Sequence, residues 1–277
     1  MIIIQNSHYE NHMPYKQVIE LKAQSIISLI ATTHIKKIDS IEVLSSVKST
    51  NDYLAEKYNN DPKALAICLA EQQTHSKGTH NKIWHSPNKK GIYLSFTWEV
   101  SNKVLTTAPI SIAIGAAIAE LLNKYDLNYS VELKWPNDLY ANGKKLGGIL
   151  IESYAQTKDI WHVIVGIGIN IHSDKNILAM NKIALADLTN IDFDRNQITA
   201  EIINTCIDFL EETTTNGLKN IAKIWNTHDM LQQKTISIIS ESEKYRGKNL
   251  GICELGKLNI LIQNHILKLS KAKIIEY

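Results

Sequence analysis

The 277 residues carry almost no surplus charge, with 30 Lys+Arg against 28 Asp+Glu for a formal net charge of +2. That excludes the bulk electrostatic footprint of a nucleic-acid binder, so an anionic partner has to be met by a local cluster. Cysteine is scarce as well: Cys68, Cys206 and Cys253 stand far apart in apolar surroundings, with no C-x-x-C pair and no His at metal-ligand spacing. The expectation is three reduced, buried thiols in a cytoplasmic protein rather than a disulfide framework or a zinc module. No apolar run approaches the ~20 residues of a membrane span, and the opening MIIIQNSHYENHMPYK lacks the long apolar core of a secretory signal. Internal repeats and low-complexity linkers are missing too. What is present is enough chain for one large domain, alone or with a small appendage, and for a substantial core.

Patterning divides the chain in three. Residues 1–40 hold a polar start followed by KQVIELKAQSIISLIATT, whose apolar positions Val18, Leu21, Ile26, Leu29 and Ile30 predict one helix. From Ile41, short β-rich runs alternate with helical ones. IEVLSSV, ALAICLAE and GIYLSFTW read as strands, STNDYLAEKY as a helix capped by Ser49 or Thr50, and APISIAIGAAIAELLNKYD as a helix apolar enough to lie against a sheet. SVELKW, KLGGILIES and WHVIVGIGINI follow as strands, with Asn142-Gly143 between two of them as a type I′ hairpin turn. NQITAEIINTCIDFLEETT and GLKNIAKIWNTH predict two helices, and after Asp229 only short strands remain: KTISIIS, YRGKNLGICE, KLNILIQN and ILKLSK. The expected fold class is α+β, a main domain over 41–228 with a small all-β domain over 229–277.

Four stretches can carry chemistry. At SSVKSTNDYL, hydroxyls, an amide and unpaired helix N-terminal N–H groups share a small volume, which suits either an ordinary N-cap or a polar or anionic ligand group. AEQQTHSKGTHNKIWHSPNKKGIYLS, from Ala70 to Ser95, is a long polar connection rich in Lys, His and Asn, with Gly78 as a flexible point. It is either a solvated loop or a phosphate or carboxylate site, and its His75, His80 and His85 do not match a zinc helix. In KWPNDLYANGKKLGGILIES, Lys134 and Lys145 lie at neighbouring strand ends; they either guard a sheet edge or project toward one anion. Asn137 and Asp138 follow a proline where a tight turn wants them. GIGIN, Gly166 to Asn170, is not a G-x-G-x-x-G fingerprint, and its glycines let either a crossing backbone or a flat ligand approach.

The order of these motifs is S-T-N, then A-x-x-Q with a basic Gly-containing loop and W-x-S-P, then K-W-P-N-D, K-L-x-G-I-L-x-E and G-x-G-I-N. In that order the chain resembles the biotin protein ligases, which attach biotin to biotin-dependent carboxylases. The likeness runs from about Ile41 to the C-terminus, and RGKNLGICELGKL is similar to the family's SH3-like C-terminal domain. It implies a mixed sheet like that of class II aminoacyl-tRNA synthetases, with ATP, Mg2+ and biotin as reactants and a biotin carboxyl carrier protein or domain as partner. Ser49, Thr50, Asn51 and Gln73 would bind the ureido head of biotin, with Lys77, Gly78, Thr79 and Gly147 completing the biotin site. Lys145 would contact the biotin carboxylate or the adenylate ester, and Lys134 the α-phosphate, as the catalytic pair. Lys77, Trp84, Lys134, Asn137 and Asn170 would hold ATP, and Asp138 would position Mg2+. A lipoate or octanoate ligase or transferase is the alternative, as is a catalytically weak biotin-binding sensor.

Two departures from the family stand out. The loop that usually reads G-R-G-R-R-G is here Ser76, Lys77, Gly78, Thr79, His80 and Asn81, which keeps the central glycine and one charge but no bidentate guanidinium. Weaker retention of the adenylate is expected. At the front, residues 1–40 are too short for a winged helix-turn-helix, and Lys16, Lys22, Lys36 and Lys37 form no compact stripe, so no DNA partner is expected. An exposed strand edge at WHVIVGIGI is expected to leave a sheet-to-sheet homodimer open beside a monomer.

Overall fold

The computed structural model describes residues 19–79, 82–101, 108–156, 160–174, 176 and 181–277. Its apolar runs between residues 40 and 170 pair into a seven-stranded mixed sheet: β1 (Ser40–Leu44), β2 (Ala66–Ala70), β3 (Gly91–Ser101), β4 (Val131–Lys134), β5 (Asp138–Ala141), β6 (Lys144–Gln156) and β7 (Ile160–Asn170), in the order β1-β2-β3-β7-β6-β5-β4. Only β1 and β2 are parallel, and the remaining neighbours are antiparallel.

The centre of the sheet belongs to the most apolar strands. β3 and β7 pair along their full length, from Gly91 against Asn170 to Ser101 against Ile160. The expected free edge at WHVIVGIGI is therefore not an edge: β7 lies between β3 and β6, and the outer strands are β1 and β4. A strand that is apolar on both faces needs cover on both, and an edge position would leave it wet.

Strand alternation sends side chains to two different cores. Ile67 and Leu69 of β2 join the main core beneath helix α4 (Ala108–Leu122), an all-round apolar helix. Ala66 and Cys68 face the other way and, with Ile164, pack against Leu54 and Tyr58 of α3 (Thr50–Tyr58). The α3 side is thinly covered, and the polar groups collect there. α5 (Arg195–Asn216) is capped by Asp194, which accepts from Asn196 N at 2.8 Å, and ends at Gly217 with φ 70°. α6 (Lys219–His228) follows.

The C-terminal strands β8 (Thr235–Ser240), β9 (Glu243–Ile252), β10 (Leu258–Ile262), β11 (His265–Leu269) and β12 (Lys273–Glu276) form an antiparallel sheet in the order β11-β10-β9-β8-β12. Its inward residues Ile236, Ile252, Leu258 and Ile260 belong to the same apolar cluster as Ile112 of α4 and Trp225 of α6. The two sheets thus share one core.

Several expectations need amendment. The N-terminal helix is two short ones, α1 (Ala23–Leu29) and α2 (Thr32–Ile35), because Ile30 is extended and breaks the run; Lys16 and Val18 lie outside the described residues. The Asn142-Gly143 turn has φ of 49° and 68°, as type I′ demands, but it joins β6 to β5, a strand absent from the sequence reading, rather than to β4. β12 was likewise not expected. Cys68 and Cys206 are buried and free, and burial lifts both thiols, that of Cys68 to about 12; Cys253 is free but only half-buried.

Candidate active site

One end of the site is a closed chain of hydrogen bonds on the α3 face of the sheet. Ser49 caps α3, its Oγ accepting from Asp52 N at 3.3 Å, and this fixes Thr50 and Asn51 in the first turn. Thr50 N donates to Gln73 Oε1 at 2.9 Å, and Gln73 Nε2 donates to Ser86 Oγ at 3.0 Å. Thr50 Oγ1 lies 2.6 Å from Ser95 Oγ, Ser95 Oγ donates to Asn51 Oδ1 at 2.6 Å, and Asn51 Nδ2 donates to Glu152 Oε2 at 2.7 Å. Thr50 Oγ1 also lies 3.1 Å from Gln73 Oε1, but each hydroxyl has one proton and that of Ser95 is committed to Asn51, so Ser95 Oγ can only accept at its shorter contact with Thr50. The Thr50 proton therefore goes to Ser95, giving a directed chain from Thr50 through Ser95 and Asn51 to Glu152.

Glycine makes room for this arrangement. A Cβ on Gly166 would stand 2.4 Å from Asn51 Oδ1, so only glycine lets Asn51 lie on β7. Gly168 plays the same part for Trp84: a Cβ there would be 2.7 Å from the indole. Gly168 pairs with Gly148 across β6 and β7, and together they form a flat floor beneath the Trp84 ring. The indole Nε1 is buried with no hydrogen-bond partner. The connection that carries Trp84 folds on itself, Gly78 N donating to Lys82 O at 2.7 Å and Lys77 bridging to Ile83, and Lys77 Nζ is 2.5 Å from Asp52 Oδ1.

The cations come from the β4–β5–β6 meander. A cis Trp135-Pro136 bond turns β4 into β5, and Asn137 is locked to β6 by Asn137 Nδ2 to Ile149 O at 2.7 Å and Ile149 N to Asn137 O at 2.9 Å. The register shift after Leu139 places Lys145 opposite Tyr140, and Lys145 Nζ reaches Asp138 Oδ1 at 2.5 Å and lies 5.4 Å from the Trp84 ring centre. A single pocket is lined by Ser49, Thr50, Asn51, Gln73, Trp84 and Lys145, together with Lys77, Gly78, Thr79, Ser95, Asn137, Asp138 and Gly148. Such a pocket is polar at one end, carries an aromatic face on one wall, and has a lysine and a carboxylate at the mouth.

Residues 43–170 match the biotin/lipoate A/B protein ligase family. Over 232 residues the chain is 31% identical to the bifunctional ligase/repressor of Escherichia coli, across 83% of this chain and 71% of that one. The chain belongs to the biotin/lipoate A/B protein ligase family. Its relatives there are biotin protein ligases: the biotin–[acetyl-CoA-carboxylase] ligase of Mycobacterium tuberculosis is 30% identical over 167 residues, 59% of this chain and 61% of that one. The biotin protein ligase from Aquifex aeolicus, in complex with biotin and ATP, shares the fold at a TM-score of 0.73 and 24% identity, covering 87% of this chain and 100% of that chain.

Against that family pattern, three expected ligase residues do not line the pocket. Lys134 pairs with Asp138 in the β4–β5 register, but its Nζ rests over two rings, 5.5 Å from the centre of Tyr140 and 4.1 Å from that of Tyr277. Among the described residues its half-buried charge is met by π faces rather than by a counter-ion, a pairing the sequence reading did not include. Asn170 is buried and donates through Nδ2 to Ile183 O at 3.0 Å, anchoring the segment after β7. Gly147 is enclosed by Leu139 and the Gly168 carbonyl, and its neighbour Gly148 faces the pocket instead. His80 and Asn81 lie outside the described residues.

Sequence reasoning missed Ser95, Ser86 and Glu152. Ser95 had a signal, a small hydroxyl inside an apolar strand, which burial obliges to find a partner. Ser86 and Glu152 stood inside the W-x-S-P and K-L-x-G-I-L-x-E motifs but were given no role, since a carboxylate at a strand position reads as solvent-facing until its neighbour Asn51 is known.

Proposed function

We propose that this chain activates biotin with MgATP to biotinyl-5′-AMP and then transfers the biotinyl group to a lysine of a biotin carboxyl carrier protein or domain. The observation that carries the reading is the hydrogen-bond chain at the closed end of the pocket. A ureido ring presents one carbonyl and two N–H groups, and Ser49, Thr50, Asn51, Gln73 and Ser95 offer matched donors and acceptors at that depth. A lipoyl dithiolane has no carbonyl or N–H to exchange with that polar chain, which favours biotin over the lipoate or octanoate alternative.

With the head group held there, the valeryl chain runs toward Lys145 and Asp138. The biotin carboxylate oxygen attacks the α-phosphorus, the bond to the bridging oxygen breaks, and pyrophosphate leaves. The neutral ε-amine of the carrier lysine then attacks the mixed-anhydride carbonyl, AMP departs with the bonding pair, and the proton lost from nitrogen passes to solvent. Neither step needs a protein nucleophile. Lys145 supplies charge at the reacting centre, Trp84 a face for the base, and Asn137 a rigid turn beside the phosphates; Lys77, Gly78 and Thr79 border the carboxylate side. Lys134 takes up the α-phosphate by exchanging the Tyr277 ring for the anion.

Magnesium would find one carboxylate at the mouth, Asp138, whose Oδ1 already meets Lys145, and no group of three or more His, Cys, Asp or Glu gathers among the described residues. That donor set fits an ion held chiefly by substrate phosphates and water, with Asp138 as its protein contact. The ion would draw charge from the phosphoryl oxygens. Three free thiols fit a reducing compartment such as the cytoplasm.

The test is transfer of labelled biotin to a carrier domain with MgATP, alongside biotin-dependent exchange of labelled pyrophosphate into ATP. Exchange that responds to lipoate and not to biotin would overturn the assignment.

A further inference from the structure

Two lysines, Lys77 and Lys145, line the pocket, and a third, Lys182, lies over Trp84 of its wall. Lys77 is paired with Asp52 and Lys145 with Asp138, at 2.5 Å each. Lys182, which no motif singled out, has no carboxylate partner among the described residues. Its Nζ lies 5.0 Å from the centre of the Trp84 ring, as Lys145 Nζ lies 5.4 Å from the same ring. Two ammonium groups thus share one indole, and only Lys145 has a carboxylate.

The placement of Lys182 is built in. Its backbone forms a parallel bridge with Lys145, Ile183 N donating to Lys145 O at 3.1 Å. Asn170 holds the next carbonyl from the end of β7, and Ala184 and Leu185 are fully buried just beyond. Lys182 itself is half-buried, and burial together with the Lys145 charge lowers its pKa. Holding two cations close without a second counter-charge costs energy that the fold does not recover within itself, and an entering polyanion would recover it.

We propose that Lys182 is a second ammonium for the phosphate chain of the nucleotide, beside Lys145 at the Trp84 ring. The inference rests on the ligase reading above and extends it: the segment after β7 adds a charge beside that of β6. Lys182 does no covalent chemistry; it contacts the nucleotide and helps to select it by charge.

The experiment compares the native chain with Lys182→Met and Lys182→Arg in biotin-dependent ATP–pyrophosphate exchange, and measures tripolyphosphate binding by calorimetry without biotin. Loss of one charged hydrogen bond predicts a rise of about 10-fold or more in KM for ATP and a similar weakening of tripolyphosphate in Lys182→Met. KM for biotin and the melting temperature are expected to stay at native values, and Lys182→Arg to restore most of both losses. Unchanged ATP and tripolyphosphate affinities in Lys182→Met would overturn the proposal, as would an equal loss in Lys182→Arg. Absence of biotin-dependent exchange in the native chain would strike the ligase reading instead, while the tripolyphosphate comparison would still decide the role of Lys182.

Discussion

Arg195 Nη1 lies 2.7 Å from Glu71 Oε2, and both side chains are sealed from water. The same guanidinium donates to Ile19 O at 2.8 Å and to Gly91 O at 3.2 Å, so one residue ties the start of α5 to the end of β2, the start of β3 and the chain before α1. Glu71 stands two residues before Gln73. Arg195→Leu is expected to lower stability by about 3–5 kcal/mol, because a lone carboxylate would stay buried. Arg195→Lys should recover little of it, since a point charge cannot serve three acceptors arrayed around a planar fork. Urea unfolding of the two variants checks both statements.

Gly166→Ala should act on the ligand site more than on the fold. The new methyl displaces Asn51 from β7 and breaks the chain from Ser95 to Glu152. Loss of one or two buried hydrogen bonds to the ligand predicts a KM for biotin raised by about 10- to 100-fold. Gly168→Ala, which displaces Trp84, should raise KM for ATP instead. Steady-state kinetics with each substrate varied in turn separates the two.

Thr79→Arg restores a fork-shaped cation to the pocket wall. Release of biotinyl-AMP from that variant is expected to be slower than from the native chain, by about 10-fold for one added charge-assisted hydrogen bond. Stopped-flow displacement of the intermediate measures it, and equal rates would show that the altered loop does not weaken retention.

Lys134→Met should slow formation of the adenylate by about 10²- to 10³-fold, the usual effect of removing a donor aimed at developing charge. Tyr277→Ala, which removes the nearer of the two rings under Lys134, should leave the rate of adenylate formation within about 3-fold of native if the ring only parks the ammonium. Single-turnover measurements at saturating biotin and ATP distinguish the two.

Asp229 makes a prediction about pH. Burial raises its carboxyl above the usual carboxylate range, although Leu231 N and Asn249 Nδ2 both donate to it and oppose the rise. A group whose folded pKa is raised binds its proton more tightly when folded, so its contribution to stability grows as pH falls from neutrality through that pKa. Asp229→Asn cannot follow, and it sets an amide against the Nδ2 of Asn249, whose Oδ1 is held by Gly251 N. The variant is expected to be less stable by about 1–3 kcal/mol at pH 7, with a wider gap at pH 5. Thermal melts at the two pH values give the comparison.

The sheet and the polar half of the site were legible because local rules act over a few residues. Ser49 caps where an N-cap is wanted, Asn142-Gly143 turns where φ must be positive, and Ser49, Thr50, Asn51 and Gln73 converge through one strand, one helix and one loop. What was not legible depended on partners far along the chain. Lys134 was assigned to an anion because the rings of Tyr140 and Tyr277 could not be placed over it from sequence. Lys182 was invisible for the same reason, since only the bridge to Lys145 brings it to Trp84. The central position of β7 follows from its apolarity on both faces, a property readable in the sequence but outweighed there by the wish for a free edge.

The Trp135 indole donates to Gly256 O at 3.1 Å, and a Cβ on Gly256 would stand 3.4 Å from Ile112 of α4. The turn that presents Asn137 and Asp138 is thus braced from behind by the loop between β9 and β10. The C-terminal sheet is a buttress of the pocket, not a detachable module. Swapping it for the equivalent sheet of a distant relative would have to preserve that one carbonyl, or the graft would fold and still fail at the first chemical step.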